Sequence, residues 1–88
     1  VSLHTEAHRR ARMRSRRGLL ELDLLLVPFA ESVYSVLTQA EQASYDEMLG
    51  EDDVVLLDWL KGAAAPSQRA RHIVGRIRQW HRAQGARL

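Results

Sequence analysis

Arg16-Arg17-Gly18-Leu19-Leu20-Glu21-Leu22-Asp23-Leu24-Leu25-Leu26-Val27-Pro28-Phe29-Ala30 sets two arginines against a glycine, then interleaves two carboxylates with the start of an apolar run. From there Leu22, Leu25, Leu26, Phe29, Ala30, Val33 and Leu37 recur at three- and four-residue spacing, the mark of a buried helical face. The spacing predicts a helix from about Leu19 to Val36. Glu21 and Asp23 fall in its first turn, where the helix dipole favours negative charge. Pro28 lies inside the pattern and lacks a backbone donor, so it is expected to kink or split the helix. Gly18 has no Cβ and would let another backbone approach closely. Exposed charges on both sides of that gap suit contact with a partner rather than a core.

The rest of the chain also reads as helix. A first helix over about Glu6 to Arg16 has little apolar content beyond Ala7, Ala11 and Met13, and alone it would be marginal in water. A third helix opens on a capping box, Thr38 as N-cap with Glu41 three residues on. Its stripe is Tyr45, Met48 and Leu49, and Gly50 ends it as the C′ residue. A fourth follows Asp52 or Asp53 as N-cap. Leu56, Leu57, Trp59 and Leu60 carry its core contacts and Gly62 stops it, although Val54 and Val55 are poor helix formers. A fifth starts near Pro66 or Ser67, with Ala70, Ile73, Val74, Ile77 and Trp80 on one face, and ends at Gly85. Trp59 and Trp80 are in step with these apolar neighbours and read as core anchors.

The expected fold class is therefore all-α, a small single-domain five-helix bundle with short connections. One domain spans residues 1–88, with a motif-bearing core over about 6–65, a C-terminal helix over about 66–84 and frayed ends. A chain of 88 residues can bury roughly two-thirds of its unfolded surface, which leaves little room for a deep pocket.

Charge is strongly segregated along the chain. Residues 1–20 carry six Arg and one Glu, residues 21–60 ten carboxylates and no Lys or Arg, and residues 61–88 Lys61 and six Arg. Basic ends can close on an acidic middle as internal ion pairs, or form opposite-sign faces that orient a protein partner. The apolar run Leu24 to Ala30 is broken by Pro28 and is far shorter than the ~20 residues of a membrane span, so no membrane insertion is expected. The arginine-rich start has no apolar segment of a signal peptide. It has the composition of a transit peptide, but it runs directly into Gly18 and reads as part of the domain.

The chemistry-bearing motifs are few. With no Cys there is no disulfide and no thiolate metal site. His4 and His8 are spaced for a helix face but lie among arginines, and no metal site is expected. No nucleophile elbow, P-loop or GxGxxG cradle occurs, so no catalytic residue is assigned. Nucleic-acid binding is the alternative that composition offers. The sequence pI is about 9.7 and arginines cluster at both ends, with Arg9, Arg10, Arg12 and Arg14 placed to meet phosphates. The acidic middle opposes it. A protein-interaction bundle with some other client is a further alternative.

From Arg14 to Leu60 the sequence resembles the small FAD assembly factors of succinate dehydrogenase, the bacterial SdhE type and its mitochondrial relatives. The resemblance begins with the RGxxE motif at Arg17, Gly18 and Glu21. It continues through Leu24 to Ala30, Leu37-Thr38-Gln39-Ala40-Glu41, and Asp52-Asp53 with Leu56-Leu57-Asp58-Trp59-Leu60. It implies a five-helix fold and a non-catalytic assembly factor. Its partner would be the flavoprotein subunit of succinate dehydrogenase or fumarate reductase, whose covalent attachment of FAD to a histidine it promotes. FAD would belong to the client, with no cofactor held stably by this chain and no nucleic acid expected. The place of action would be the bacterial cytoplasm, or the mitochondrial matrix in a eukaryote. By resemblance Arg16, Arg17, Gly18 and Glu21 would lie at the client interface, with Asp23 and Phe29 as further candidates and Phe29 equally a core residue. Two departures stand out: Met13 where an aromatic residue often precedes the motif, and Val54-Val55 at a start that is usually more polar. The tail after Ala65 is similar only in general character. Without a partner, Gly18 would simply separate two helices and Glu21 would favour a helix start.

Overall fold

The computed structural model describes residues 5–88, and among these it holds helices and no strand. Five α-helices follow in order: α1 (Glu6–Arg14), α2 (Leu20–Val33), α3 (Gln39–Met48), α4 (Asp53–Lys61) and α5 (Arg71–Ala83), with a 3-10 turn over Tyr34–Val36 after α2. The Cα radius of gyration is 12.1 Å, close to the ~12 Å of a compact domain this long, so α1 is docked on the body.

The second helix is the hub, touching α1, α4, α5 and the 3-10 turn. Leu22, Leu26, Phe29, Ala30 and Val33 form its buried stripe. Each fully buried Leu or Phe side chain here contributes about 1.5–3 kcal/mol. Phe29 stacks on Tyr45 at 5.8 Å between centroids and meets Trp80 edge-on at 5.9 Å, which joins α2, α3 and α5. Trp59 is buried and Trp80 partly buried against the same core, as their spacing predicts.

Pro28 does not split α2, which runs unbroken from Leu20 to Val33. The chain meets α5 here: the carbonyl of Leu25 accepts a hydrogen bond from His81 Nε2 at 2.6 Å. Because a carbonyl only accepts, His81 carries its proton on Nε2.

The first helix is held by small and polar side chains. Its buried positions are His8 and Ala11, followed by Ser15 just past its end, whereas Ala7 and Met13 are exposed. Ser15 Oγ donates to the Ala11 carbonyl at 2.6 Å and lies 2.6 Å from Tyr45 Oη. The Thr5 hydroxyl caps the helix start by accepting from His8 N at 3.1 Å.

The capping box of α3 forms as expected, with both the Thr38 and the Glu41 bonds present. Gly50 sits at C′ but not in the left-handed region; its N–H closes a turn on Glu47 O at 3.0 Å. Asp52 is the N-cap of α4 without a side-chain bond to the helix. Gly62 ends α4 at φ +79°, a left-handed conformation that suits glycine.

The fifth helix begins four to five residues later than expected, at Arg71 rather than Pro66 or Ser67. Ser67 does cap, but its hydroxyl accepts from Ala70 N at 3.3 Å and closes a single turn that precedes the helix.

Basic ends close on the acidic middle. Arg17 pairs with Asp53, Lys61 with Glu21, Arg69 with Glu47, and His72 and Arg76 with Glu41. The Glu41 carboxyl is held down to about 2, first by the hydrogen bond from Thr38 N and then by His72, with Arg76 adding to it.

Candidate protein-docking site

The segment between α1 and α2 is built around Arg17. Its side chain is only 18% exposed. Nε donates to Asp53 Oδ1 at 2.8 Å, Nη1 to the carbonyl of Leu49 at 2.7 Å and Nη2 to the carbonyl of Glu51 at 2.9 Å. A planar guanidinium can serve several acceptors at once in this way, and a lysine cannot. Arg17 thereby ties the α1–α2 connection to the α3–α4 turn. The expectation that it reaches out to a client is not what the free chain shows, since its donors face inward.

Asp23 completes the turn from the other side. Its carboxylate accepts from Arg17 N at 2.6 Å and Gly18 N at 3.2 Å. Leu19 has no side chain able to cap α2, and Asp23 fixes the entering backbone instead. Phe29 is 0% exposed and lies in the core, so it offers no surface to a partner. Burial wins at that position because Tyr45 and Trp80 enclose the ring.

Held in this way, Gly18 stands at φ +84° with nothing within 4 Å of the position a Cβ would take. It is exposed and open above. Arg16, beside it, is exposed and has no ion pair among the described residues. Glu21 is exposed on the first turn of α2, its carboxylate 2.9 Å from Lys61 Nζ. The geometry therefore brings Arg16, Gly18 and Glu21 to the surface and places Arg17, Asp23 and Phe29 behind it.

Sequence reasoning missed the apolar part of this surface. Leu20 is 73% exposed, Leu24 61% and Met13 73%, with Leu19 partly exposed. Leu20 and Leu24 are four residues apart on the side of α2 that faces away from the core stripe. The available signal was that α2 is apolar nearly all round, whereas a surface helix needs only one apolar face. Leu19, Leu20 and Leu24 thus expose large apolar side chains shortly after the open glycine, which makes this segment a candidate contact surface.

Among the described residues there is no cluster of three or more metal-ligating side chains. His8 is buried against Tyr34, ring centroids 5.8 Å apart, and His4 lies outside the described residues. Among the described residues no helix is long and apolar enough to cross a membrane.

The chain is similar to proteins of known role. A family model described as "Flavinator of succinate dehydrogenase" matches residues 9–81, which extends the likeness beyond Ala65 and through most of α5. The FAD assembly factor SdhE of Coxiella burnetii is 38% identical over 74 residues, covering 83% of this chain and 90% of the relative. That of Psychrobacter arcticus is 35% identical over 77 residues, covering 86% and 83%. That of Aliivibrio fischeri is 39% identical over 57 residues, covering 65% and 66%. With its helical fold and nearly all of its described length matched, the chain belongs to the family of flavinators of succinate dehydrogenase.

Proposed function

We propose that this chain binds the flavoprotein subunit of succinate dehydrogenase or fumarate reductase through the surface around Gly18, and so promotes covalent attachment of FAD to a histidine of that subunit. The carrying observation is the open glycine at φ +84°, presented by an internally bonded Arg17 and Asp23 between exposed charges and exposed leucines. The family to which the chain belongs supports the choice of client. The chain acts as an assembly factor. It holds the client in a conformation that brings flavin and acceptor side chain together, and orientation alone lowers such a barrier substantially. The bond-making chemistry is the flavin's and the client's, and FAD stays with the client. The same reading puts the work in the bacterial cytoplasm, or in the mitochondrial matrix for a eukaryotic chain.

Arg16, Gly18 and Glu21 are the contacts to the client in this proposal, with Leu20, Leu24 and Met13 supplying apolar area. Arg17 and Asp23 act as positioning residues. Paired variants of Gly18 test it. Gly18→Ala and Gly18→Arg both take on the strain of a left-handed residue, about 1–2 kcal/mol, and the Cβ of either meets nothing within 4 Å. Both should fold. Binding to the apo flavoprotein subunit, measured by calorimetry, should survive largely in Gly18→Ala and be lost in Gly18→Arg. A folded Gly18→Arg that binds like the wild type would remove the docking assignment.

A further inference from the structure

The two flanks of α5 differ in a way the proposed docking site does not explain. On the flank toward α3, His72 and Arg76 are matched by Glu41, and Arg69, in the turn just before the helix, by Glu47. On the other flank Arg71, Gly75, Arg78 and Arg82 follow at spacings of four, three and four, which is one helical stripe about 16 Å long. No Asp or Glu side chain pairs with any of these arginines among the described residues, and Arg82 Nε donates to the Leu88 main-chain oxygen at 3.1 Å. Arg78 is half-buried, and its buried Nε has no acceptor among the described residues. Its guanidinium lies against the end of α4, with Nη1 and Nη2 3.0 Å from where a Gly62 Cβ would stand.

Gly75 is the second observation. It is an exposed residue in the middle of α5, with nothing within 4 Å of its Cβ position. No neighbour within the fold requires a glycine there, and glycine is the poorest helix former after proline. A missing side chain at the centre of a basic stripe leaves room for a second backbone.

The stripe is also continuous with the proposed client surface. Arg78 rests on Gly62, Lys61 precedes Gly62, and Lys61 pairs with Glu21 at 2.9 Å. From these observations we infer that Arg71, Gly75, Arg78 and Arg82 form a second docking stripe, which takes a carboxylate-rich segment of the client flavoprotein with that segment's backbone passing over Gly75. The inference rests on the client assigned above. A protein segment fits better than a nucleic acid, because its acidic run can end before Lys61, whereas a phosphate backbone continued past Arg78 would carry its charge on to the carboxylate of Glu21. Short ion pairs of opposite sign set register and association rate at such a surface.

The test uses the full chain and the apo flavoprotein subunit, with affinity measured at physiological ionic strength. Arg71→Glu/Arg82→Glu changes two exposed side chains and should leave the helix content intact while weakening binding about tenfold or more. Gly75→Leu should keep or raise the Tm, because leucine is a better helix former, and should also weaken binding. If the wild type binds and both variants bind within twofold of it, the stripe is idle and this inference fails alone. If the wild type does not bind, the client assignment fails and the stripe's assignment falls with it. A labelled DNA duplex is the control. If the double variant loses duplex binding while client binding is unchanged, the stripe serves nucleic acid and the inference is overturned.

Discussion

Arg17 Nε donates to Asp53 Oδ1 at 2.8 Å across a separation of 36 residues, and the same guanidinium bonds the carbonyls of Leu49 and Glu51. The arginine of the RGxxE motif is thus the clamp that positions the motif. Arg17→Ala should cost about 2–3 kcal/mol in urea unfolding, since it leaves partly buried carbonyls without their donor. Arg17→Lys should recover little of that, because one ammonium cannot reach all three acceptors. Stability unchanged in Arg17→Ala would show that the clamp carries no weight.

Ser15 and Tyr45 give a second prediction. Ser15 Oγ spends its proton on Ala11 O, so Tyr45 Oη donates to Ser15. Burial pushes the Tyr45 hydroxyl up, well above the usual phenol range. Ser15→Ala leaves that hydroxyl only the Leu26 carbonyl, 3.5 Å away, and should cost about 1–2 kcal/mol. Tyr45→Phe leaves Ser15 still bonded to Ala11 and should cost about 1 kcal/mol or less. Equilibrium unfolding of the two variants checks the order, and the reverse order would contradict the assigned direction of the bond.

Glu41 makes the fold acid-sensitive. Its carboxyl titrates at about 2 in the folded chain against an ordinary value of 4.5, because Thr38 N, His72 and Arg76 favour the charged form. A depressed folded value means that the stabilisation is complete above pH 4.5 and is lost as the pH falls toward 2. The Tm of the wild type should fall more over that range than the Tm of Glu41→Gln. Parallel curves for the two would remove Glu41 from the acid response.

The helical hub and the capping box could be read directly, because Leu22, Leu26, Phe29 and Val33 keep a clean period and Thr38 with Glu41 is a local signal. Long-range partners could not. Nothing near Arg17 in the chain announces that its acceptors are Leu49 O, Glu51 O and Asp53, and the resemblance alone puts it at the client interface. The buried face of α1 is not legible in the sequence, because His8, Ala11 and Ser15 line it and only one of them is apolar. Exposed Leu20 and Leu24 were hidden in a helix whose other faces are equally apolar. The sequence puts the start of α5 near Pro66 or Ser67 because a serine that closes one turn looks like a serine that starts a helix.

The most direct measurement is covalent flavin on the apo flavoprotein subunit incubated with FAD, read by in-gel fluorescence with and without this chain. The wild-type chain should raise the rate or yield of covalent flavin. Glu21→Ala loses only a surface pair with Lys61 and should keep its fold, but it should lose the effect. Covalent flavin that is indifferent to the wild-type chain, or raised equally by Glu21→Ala, would contradict the assignment of Glu21 and its surface to the client.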